Sequence, residues 1–266
     1  MERRSLSSSS EKRPFLDLDD MLILLTLFVS SRAALVNFSE VFLLASTAFA
    51  LAVWIVRGGR IIKAAMAYIL VTLLWLSYLA AAGHQVSYMT WAGHFIRIML
   101  AIFVLMTVRE PLERMVRWIT RLSLCAVVLY AAGLLAPPLF RFAFEATPAV
   151  FRFFGGTVVD GVLTSGWPRA NWFFYTFSPE RLNQNHGFMW EPAAFAMMAA
   201  IALWVRISSG YFRFDRNNLI LMAAIASTVS TTGMIALIFS LGWILLKRQG
   251  IGLLLMLYLA PVMALM

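Results

Sequence analysis

The chain has 266 residues, of which 61% are hydrophobic, and a formal net charge of +9 at pH 7. Long apolar runs in such a composition are typical of an integral membrane protein and not of one soluble core. In a soluble protein the basic charge would suggest nucleic acid, but here Lys and Arg collect in short segments between apolar runs, as in cytoplasmic loops. The single cysteine, Cys125, excludes an intramolecular disulfide. Composition therefore predicts an all-α polytopic membrane protein and argues against nucleic-acid binding.

The first 136 residues are predicted to comprise a tail and five membrane-spanning helices. Residues 1–20 are polar and indicate a cytoplasmic tail. Five apolar runs of roughly the twenty residues that a crossing needs then follow: 21–36, interrupted by Arg32, and 40–56, 64–82, 91–108 and 122–136. Basic clusters follow the second and fourth runs, so those ends, and the N-terminus, are predicted to be cytoplasmic.

Residues 137–190 are predicted to form one long periplasmic loop. Pro137 and Pro138 are expected to end the fifth helix, because proline cannot continue its hydrogen-bond ladder. Aromatic residues, including Trp172 and Tyr175, favour an ordered surface at the membrane interface over disorder, although anchoring in the headgroups would also explain them.

Residues 191–266 are predicted to contain the remaining transmembrane helices, for a total of about eight to nine segments. A span at 192–207 is followed by the apolar run 219–246, which Ser/Thr-rich residues and Gly233 interrupt. As one helix this run would reach about 42 Å, more than the ~30 Å membrane core. We therefore expect two shallow half-helices with cytoplasmic outer ends, a strongly tilted helix being the alternative. The last run, 251–266, is apolar to its final residue and suggests a truncated chain.

Polar residues crowd the start of the predicted sixth span. In the sequence RLNQNHGFMWEPAAF, from 181 to 195, Pro192 suits the first turn of a helix and Glu191 its N-terminus. A helix N-terminus near arginines such as Arg181 favours anion binding, and His186 or Glu191 could then deprotonate a sugar hydroxyl. Helix capping by Glu191 and an ordinary interfacial His186 are the simpler interpretations.

A second polar pair lies on the predicted fourth span. His94 and Arg97 are three residues apart and therefore share a helix face. An arginine at this depth needs an anionic partner, such as a ligand diphosphate or Glu191. The alternative is that Arg97 extends outward to lipid headgroups.

The motif R-x-x-x-x-H-G-F-M-W-E-P-A-A-F-A at 181–196, followed by S-T-V-S-T-T-G at 227–233, resembles the bacterial O-antigen and exopolysaccharide polymerases and O-antigen ligases. The resemblance extends in order and spacing from about residue 91 to the C-terminus. It implies a GT-C-like bundle in the bacterial inner membrane and an inverting glycosyltransferase. Such enzymes use undecaprenyl-diphosphate-linked glycans at the periplasmic face, with no nucleotide sugar, no cofactor and no essential metal.

The resemblance also assigns roles to residues. By the resemblance, Arg181, Glu191 and Arg97 would bind the diphosphate or organise the site, and Ser230, Thr231 and Gly233 would shape the cavity. Together with the reading of the residues themselves, this predicts Glu191, His186 and Arg181 as catalytic. The predicted substrate-binding residues are Arg97, His94, Arg169, Ser230, Thr231 and Gly233. Expected partners are the lipid-linked glycan, the lipid bilayer and other polysaccharide-assembly membrane proteins. Family members usually carry a second periplasmic loop beyond the point where this chain ends. Two other classes stay open: a transporter or flippase, and a noncatalytic membrane subunit.

Overall fold

The computed structural model describes residues 16–31, 39–59, 63–81, 88–155, 158–159, 162–163, 167–209 and 215–249. The predicted run 251–266 and most of the polar tail lie outside them. Within the described residues the protein is mostly helical, as predicted. The helices are α1 (Leu18–Ser31), α2 (Ser39–Val56), α3 (Lys63–Ala81), α4 (Tyr88–Thr107), α5 (Pro111–Leu135), α6 (Pro137–Ala146), α7 (Pro192–Ser208), α8 (Arg216–Ser227) and α9 (Thr231–Gln249).

The lengths and positions of the apolar runs predicted the bounds of several helices accurately. Helices α2, α3, α4 and α7 match the predicted spans to within three residues at each end. Helix α1 begins where the Asp17 side chain accepts a hydrogen bond from the backbone N–H of Asp20 at 2.8 Å, which caps the helix. It ends at Ser31, one residue before the arginine that interrupts the apolar run.

Helix α5 is longer than predicted. It begins at Pro111, eleven residues before the predicted start at 122, so that Arg114, Arg117 and Arg121 are helical. Proline is favourable in the first turn, where its missing N–H would have no helical partner. Of the helices in the described part of the chain, α5 is the one that is long and apolar enough to cross a membrane; the other apolar helices are shorter by this measure. The number of crossings therefore stays a prediction.

Residues 137–190, predicted as one long ordered loop, contain a helix and short strands, so the protein is mostly helical and not purely all-α. The prolines after α5 occupy the first turn of a new helix, α6. A small antiparallel sheet follows in the order β1 (Arg152–Gly155), β4 (Trp167–Asn171) and β5 (Thr176–Phe177), beside a short hairpin of β2 (Val158–Val159) and β3 (Val162–Leu163). The rings of Phe140 and Phe144 on α6 pack against Phe177. This aromatic packing attaches the sheet to α6, which directly follows α5.

The bundle has two chemically different ends. At the basic end, which contains Arg57, Arg109, Arg114, Arg117 and Arg206, the guanidinium of Arg114 binds Asp17 at 2.7 Å and Asp20 at 3.0 Å. We call the other end the motif end, because it contains the start of α7 and the motif at 181–196. There the backbone N–H of Trp190 donates to the Ser31 carbonyl at 3.3 Å. Basic residues on or next to α2, α5 and α7 thus lie at the same end of the bundle. This is the arrangement expected if the basic segments between the predicted spans all face the cytoplasm.

Helices α8 and α9 form the broken hairpin that the length of the apolar run predicted. The break lies at residues 228–230, where Val229 adopts a left-handed conformation with φ 47°. Trp243 packs against Trp204 near the end of α7, with ring centroids 5.8 Å apart, so α9 runs parallel to α7. Asp215, just before α8, binds Arg206 at 2.5 Å. The break therefore lies at the motif end, and α8 starts at the basic end.

Candidate anion-binding site

The N-terminus of α7 lies at the centre of the motif end. Glu191 is extended, with φ −132° and ψ 145°, and Pro192 occupies the first turn, as the Glu-Pro sequence predicts. Within the described part of the chain, no side-chain hydrogen bond caps this helix. Its first N–H groups therefore remain available to an anion, which the helix dipole also favours.

Arg169 on β4 is buried beside this helix start. Its side chain is 4% exposed, and one of its terminal nitrogens donates to the backbone carbonyl of Trp190. Among the described residues no carboxylate lies within ion-pair distance of it, and its Nε has no hydrogen-bond partner. Burial lowers the pKa of Arg169; the charge of Glu191 opposes this effect and that of Arg181 adds to it. A buried guanidinium without an ion pair is costly, so its environment favours an anion from outside the chain.

His186 is also buried, and its ring nitrogens lack hydrogen bonds among the described residues. It is 1% exposed, and neither ring nitrogen has a hydrogen-bond partner among the described residues. Burial and then the charge of Arg169 lower the pKa of His186 to about 3; the nearby Trp190 backbone opposes this slightly and Arg181 adds to it. At neutral pH the imidazole is therefore uncharged, with one N–H donor and one acceptor nitrogen. Such burial does not fit an ordinary interfacial histidine.

Arg169, Arg181, His186 and Glu191 thus form one electrostatic cluster. The charges of Glu191 and Arg181 act on the pKa of Arg169, and those of Arg169 and Arg181 act on the pKa of His186. Arg181 is half-buried and donates to the Gln184 side chain at 3.1 Å, which orients its guanidinium. With two arginines, one neutral histidine and one carboxylate, the cluster carries a net positive charge that suits a phosphate group.

The cluster is joined to the α8–α9 break through Asn185, which sequence reasoning missed. Asn185 is fully buried, and its backbone N–H and side-chain amide donate to the carbonyl and hydroxyl of Ser227 at 3.0 and 2.9 Å. Its side-chain oxygen accepts a bond from the Gly187 N–H at 2.8 Å. Asn185 therefore holds the loop that carries His186 against the break.

Ser230, Thr231 and Gly233 lie at the start of α9, beyond this link. The Ser230 hydroxyl accepts a bond from the Gly233 N–H at 3.0 Å and so caps the helix. A Cβ at Gly233 would lie 2.9 Å from that of Ala196, so glycine allows α9 to approach α7 closely. These contacts give Ser230 and Gly233 local structural roles, whereas Thr231 is exposed. Substrate binding by the three residues stays a prediction.

His94 and Arg97 lie on α4, which packs against α1 and α2. The side chain of Arg97 is half-buried and that of His94 is exposed. Their contribution to the site stays a prediction.

Comparison with protein-family models, with curated proteins and with solved structures found no match to this chain. The functional conclusion therefore depends on the geometry and chemistry of the cluster at the motif end.

Alanine at Gly187 is expected to destabilise the protein more than alanine at Gly58. Both glycines have positive φ, 57° and 66°, which costs another residue about 1–2 kcal/mol. At Gly187 a Cβ would also overlap the ring of Phe195, whereas nothing lies within 4 Å at Gly58. Overpacking should add about 1–3 kcal/mol at Gly187 alone. Thermal unfolding of the two purified variants tests this, and equal midpoints would show that Phe195 moves aside freely.

Proposed function

We propose that this protein is a membrane glycosyltransferase that polymerises or ligates undecaprenyl-diphosphate-linked glycans at the periplasmic face of the bacterial inner membrane. The buried guanidinium of Arg169, which has no carboxylate within ion-pair distance among the described residues, is the observation that supports this function most directly; it lies beside the neutral His186 and the start of α7. A diphosphate would supply the direct ion pair that Arg169 lacks there.

Exposed apolar surface supports the membrane location. Helix α3 carries large apolar and aromatic side chains that are at least 50% exposed: Met66, Tyr68, Leu70, Val71, Leu74, Trp75 and Tyr78. Soluble monomers rarely expose so continuous an apolar surface, whereas lipid tails would cover it. With the basic end in the cytoplasm, as the positive-inside rule favours, the motif end faces the periplasm.

In the proposed reaction the acceptor hydroxyl oxygen attacks the anomeric carbon of the lipid-linked sugar. The bond from that carbon to the diphosphate oxygen breaks, and the diphosphate leaves with the electron pair. Arg169, Arg181 and the first N–H groups of α7 would stabilise the charge that develops on the leaving diphosphate. Glu191 would accept the hydroxyl proton. His186 could do so only after the bound diphosphate has raised its pKa, because a nearby negative charge favours the imidazolium.

Alanine at Arg181 or Glu191 is expected to abolish surface polysaccharide in cells that depend on this protein. The first change weakens diphosphate binding and the second removes the proposed base, so each should lower transfer by at least about a hundredfold. Polysaccharide amount and chain length on gels give the measurement. The matched control is Arg141→Ala, which removes an exposed arginine from α6. Unchanged chain length and amount in both test variants would contradict the glycosyltransferase.

The α8–α9 break favours one alternative, a flippase that binds its substrate where a helix is interrupted. The two functions differ in the intermediate that accumulates when the protein is lost. Without the glycosyltransferase, lipid-linked repeat units should collect in the periplasmic leaflet. Their accumulation in the cytoplasmic leaflet would instead support the flippase.

A further inference from the structure

We propose a second binding site at the basic end, which takes an anionic phospholipid of the cytoplasmic leaflet. Arg117, Arg121 and Arg206 would bind the phosphate headgroup, and an adjoining apolar groove would hold the start of an acyl chain. This inference rests on the membrane location proposed above but not on the glycosyltransferase chemistry.

The headgroup cavity lies between α5, the end of α7 and the start of α8. Its volume is about 480 Å³, and the residues that line it include the three arginines and one acidic residue, Glu113. The amide of Asn217 also lines it. Charge and donors in the walls thus favour a phosphate over a neutral or cationic group.

The arginines of this cavity are held in place without losing all their donors. Arg117 gives one hydrogen bond to Asp20, at 2.8 Å, and its side chain is 42% exposed. Arg206 donates to Asn218 at 2.7 Å and to Asp215 at 2.5 Å. A guanidinium has five N–H groups, so both side chains keep donors for a ligand. Neither aspartate is among the residues that line the cavity. These bonds therefore orient the two arginines, and in the walls three arginines outnumber the one carboxylate, Glu113.

Arg121 is oriented differently, by an aromatic ring. Its guanidinium carbon lies 4.7 Å from the centre of the Trp118 ring. Stacking of this kind fixes the plane of the guanidinium and leaves the charge in place.

An apolar groove continues from the headgroup cavity. It has a volume of about 390 Å³ and shares Val205 and Ser209 with the cavity. Its other walls are mainly apolar: Leu112, Met197, Ala200, Ile201, Trp204 and Ala236. A free phosphate would use the cavity alone, whereas a phospholipid uses both compartments. The continuity of a basic cavity with an apolar groove therefore indicates a lipid.

The test is lipid retention by the full chain purified in a neutral detergent. Native mass spectrometry would follow titrations with phosphatidylglycerol, phosphatidylethanolamine and phosphatidylcholine, with inorganic phosphate as competitor. We expect phosphatidylglycerol to bind at least about tenfold more tightly than the two zwitterionic lipids, and millimolar phosphate not to displace it. Equal binding of the three lipids would contradict the proposed preference for an anionic headgroup. Displacement of the lipid by inorganic phosphate would contradict the proposal that the ligand is a lipid.

Two variants test the two compartments separately. Arg121→Gln should weaken phosphatidylglycerol binding about tenfold by removing a charged donor. Ile201→Trp should weaken it by filling the groove without altering any charge. The control is Arg216→Gln, which changes an exposed arginine that lines neither compartment. Unchanged binding in both test variants would overturn the site.

The experiment distinguishes failure of the lipid-site proposal from failure of the glycosyltransferase proposal. Arg169→Met should leave phosphatidylglycerol retention unchanged, because Arg169 lies at the motif end. If the chain is recovered in membranes and transfers glycan but does not retain the lipid, this inference alone fails. If the chain retains the lipid but transfers no glycan, the proposed enzyme alone fails.

Discussion

Methionine in place of Arg169 is expected to abolish glycan transfer without destabilising the protein. The guanidinium is buried and has no carboxylate within ion-pair distance among the described residues, so its removal relieves a desolvation cost. Methionine is unbranched and apolar and can replace the buried stem of the arginine, although it is shorter and carries no charge. The expected result is a loss of transfer of about 10²–10³-fold, the usual effect of deleting a group that stabilises developing negative charge. The unfolding midpoint should stay the same or rise.

Two measurements on the same purified variant check this expectation. Transfer from a synthetic polyprenyl-diphosphate glycan gives the activity, and thermal unfolding gives the stability. Arg141→Met is the control, because Arg141 is exposed on α6 and contacts no member of the cluster at the motif end in the structure. A variant that unfolds at a much lower temperature would assign Arg169 a structural role through its bond to the Trp190 carbonyl. Full activity would remove the main support for a diphosphate site.

The α8–α9 hairpin shows how far simple physical limits predict the fold. The run from 219 to 246 is too long for one crossing, and it contains hydroxyl residues that can satisfy backbone groups at a break. The break at 228–230 follows from these two facts. Local sequence patterns could not predict the hydrogen bonds between Asn185 and Ser227 at this break, because the two residues are 42 positions apart in the chain.

The start of α5 was placed wrongly because its arginines have distant partners. Hydropathy counts Arg114 and Arg117 as polar residues that precede a span. In the fold they bind Asp17 and Asp20, which lie 97 and 94 residues from Arg114. Those ion pairs let the helix begin eleven residues earlier, and no short window of sequence contains both partners.

The site was predicted in its local part only. The positions of Glu191 and Pro192 at the start of α7 follow from helix-capping rules applied to adjacent residues. The burial of His186 and the lack of an ion pair at Arg169 depend on how the small sheet packs over α7. That sheet was not predicted, because its strands are only two to five residues long and lie among glycines and aromatic residues.

Methionine in place of Arg114 is expected to destabilise the protein strongly, whereas methionine in place of Arg169 is expected to leave its stability unchanged or higher. The Arg114 side chain is 10% exposed and binds Asp17 and Asp20, and Asp20 is itself 6% exposed. Its removal leaves Asp17 without an ion pair among the described residues and leaves the mostly buried Asp20 with Arg117 alone. Breaking a buried ion pair in this way costs about 3–5 kcal/mol. The free energy of unfolding, from denaturant titration at pH 7, is the measurement.

Arg117→Met provides the matched control within the same helix. Among the described residues Arg117 forms an ion pair with Asp20 alone, and its side chain is 42% exposed, so its loss should cost about 1 kcal/mol or less. Equal losses at the two positions would show that the aspartates are solvated and that the network does not depend on Arg114.

The pH dependence of stability gives an independent check on the same network. Burial raises the pKa of Asp17, but the hydrogen bond from Arg114, with smaller contributions, outweighs it and holds the pKa below the usual 3.8. A carboxyl with a lowered folded pKa stabilises the protein above its unfolded pKa and loses this effect as pH falls through the folded value. The thermal unfolding temperature of the unmodified protein should therefore decrease when the pH is lowered below about 4. In Arg114→Met the contribution of Asp17 to that fall should disappear, and an unchanged acid profile would show that Arg114 does not stabilise the Asp17 carboxylate.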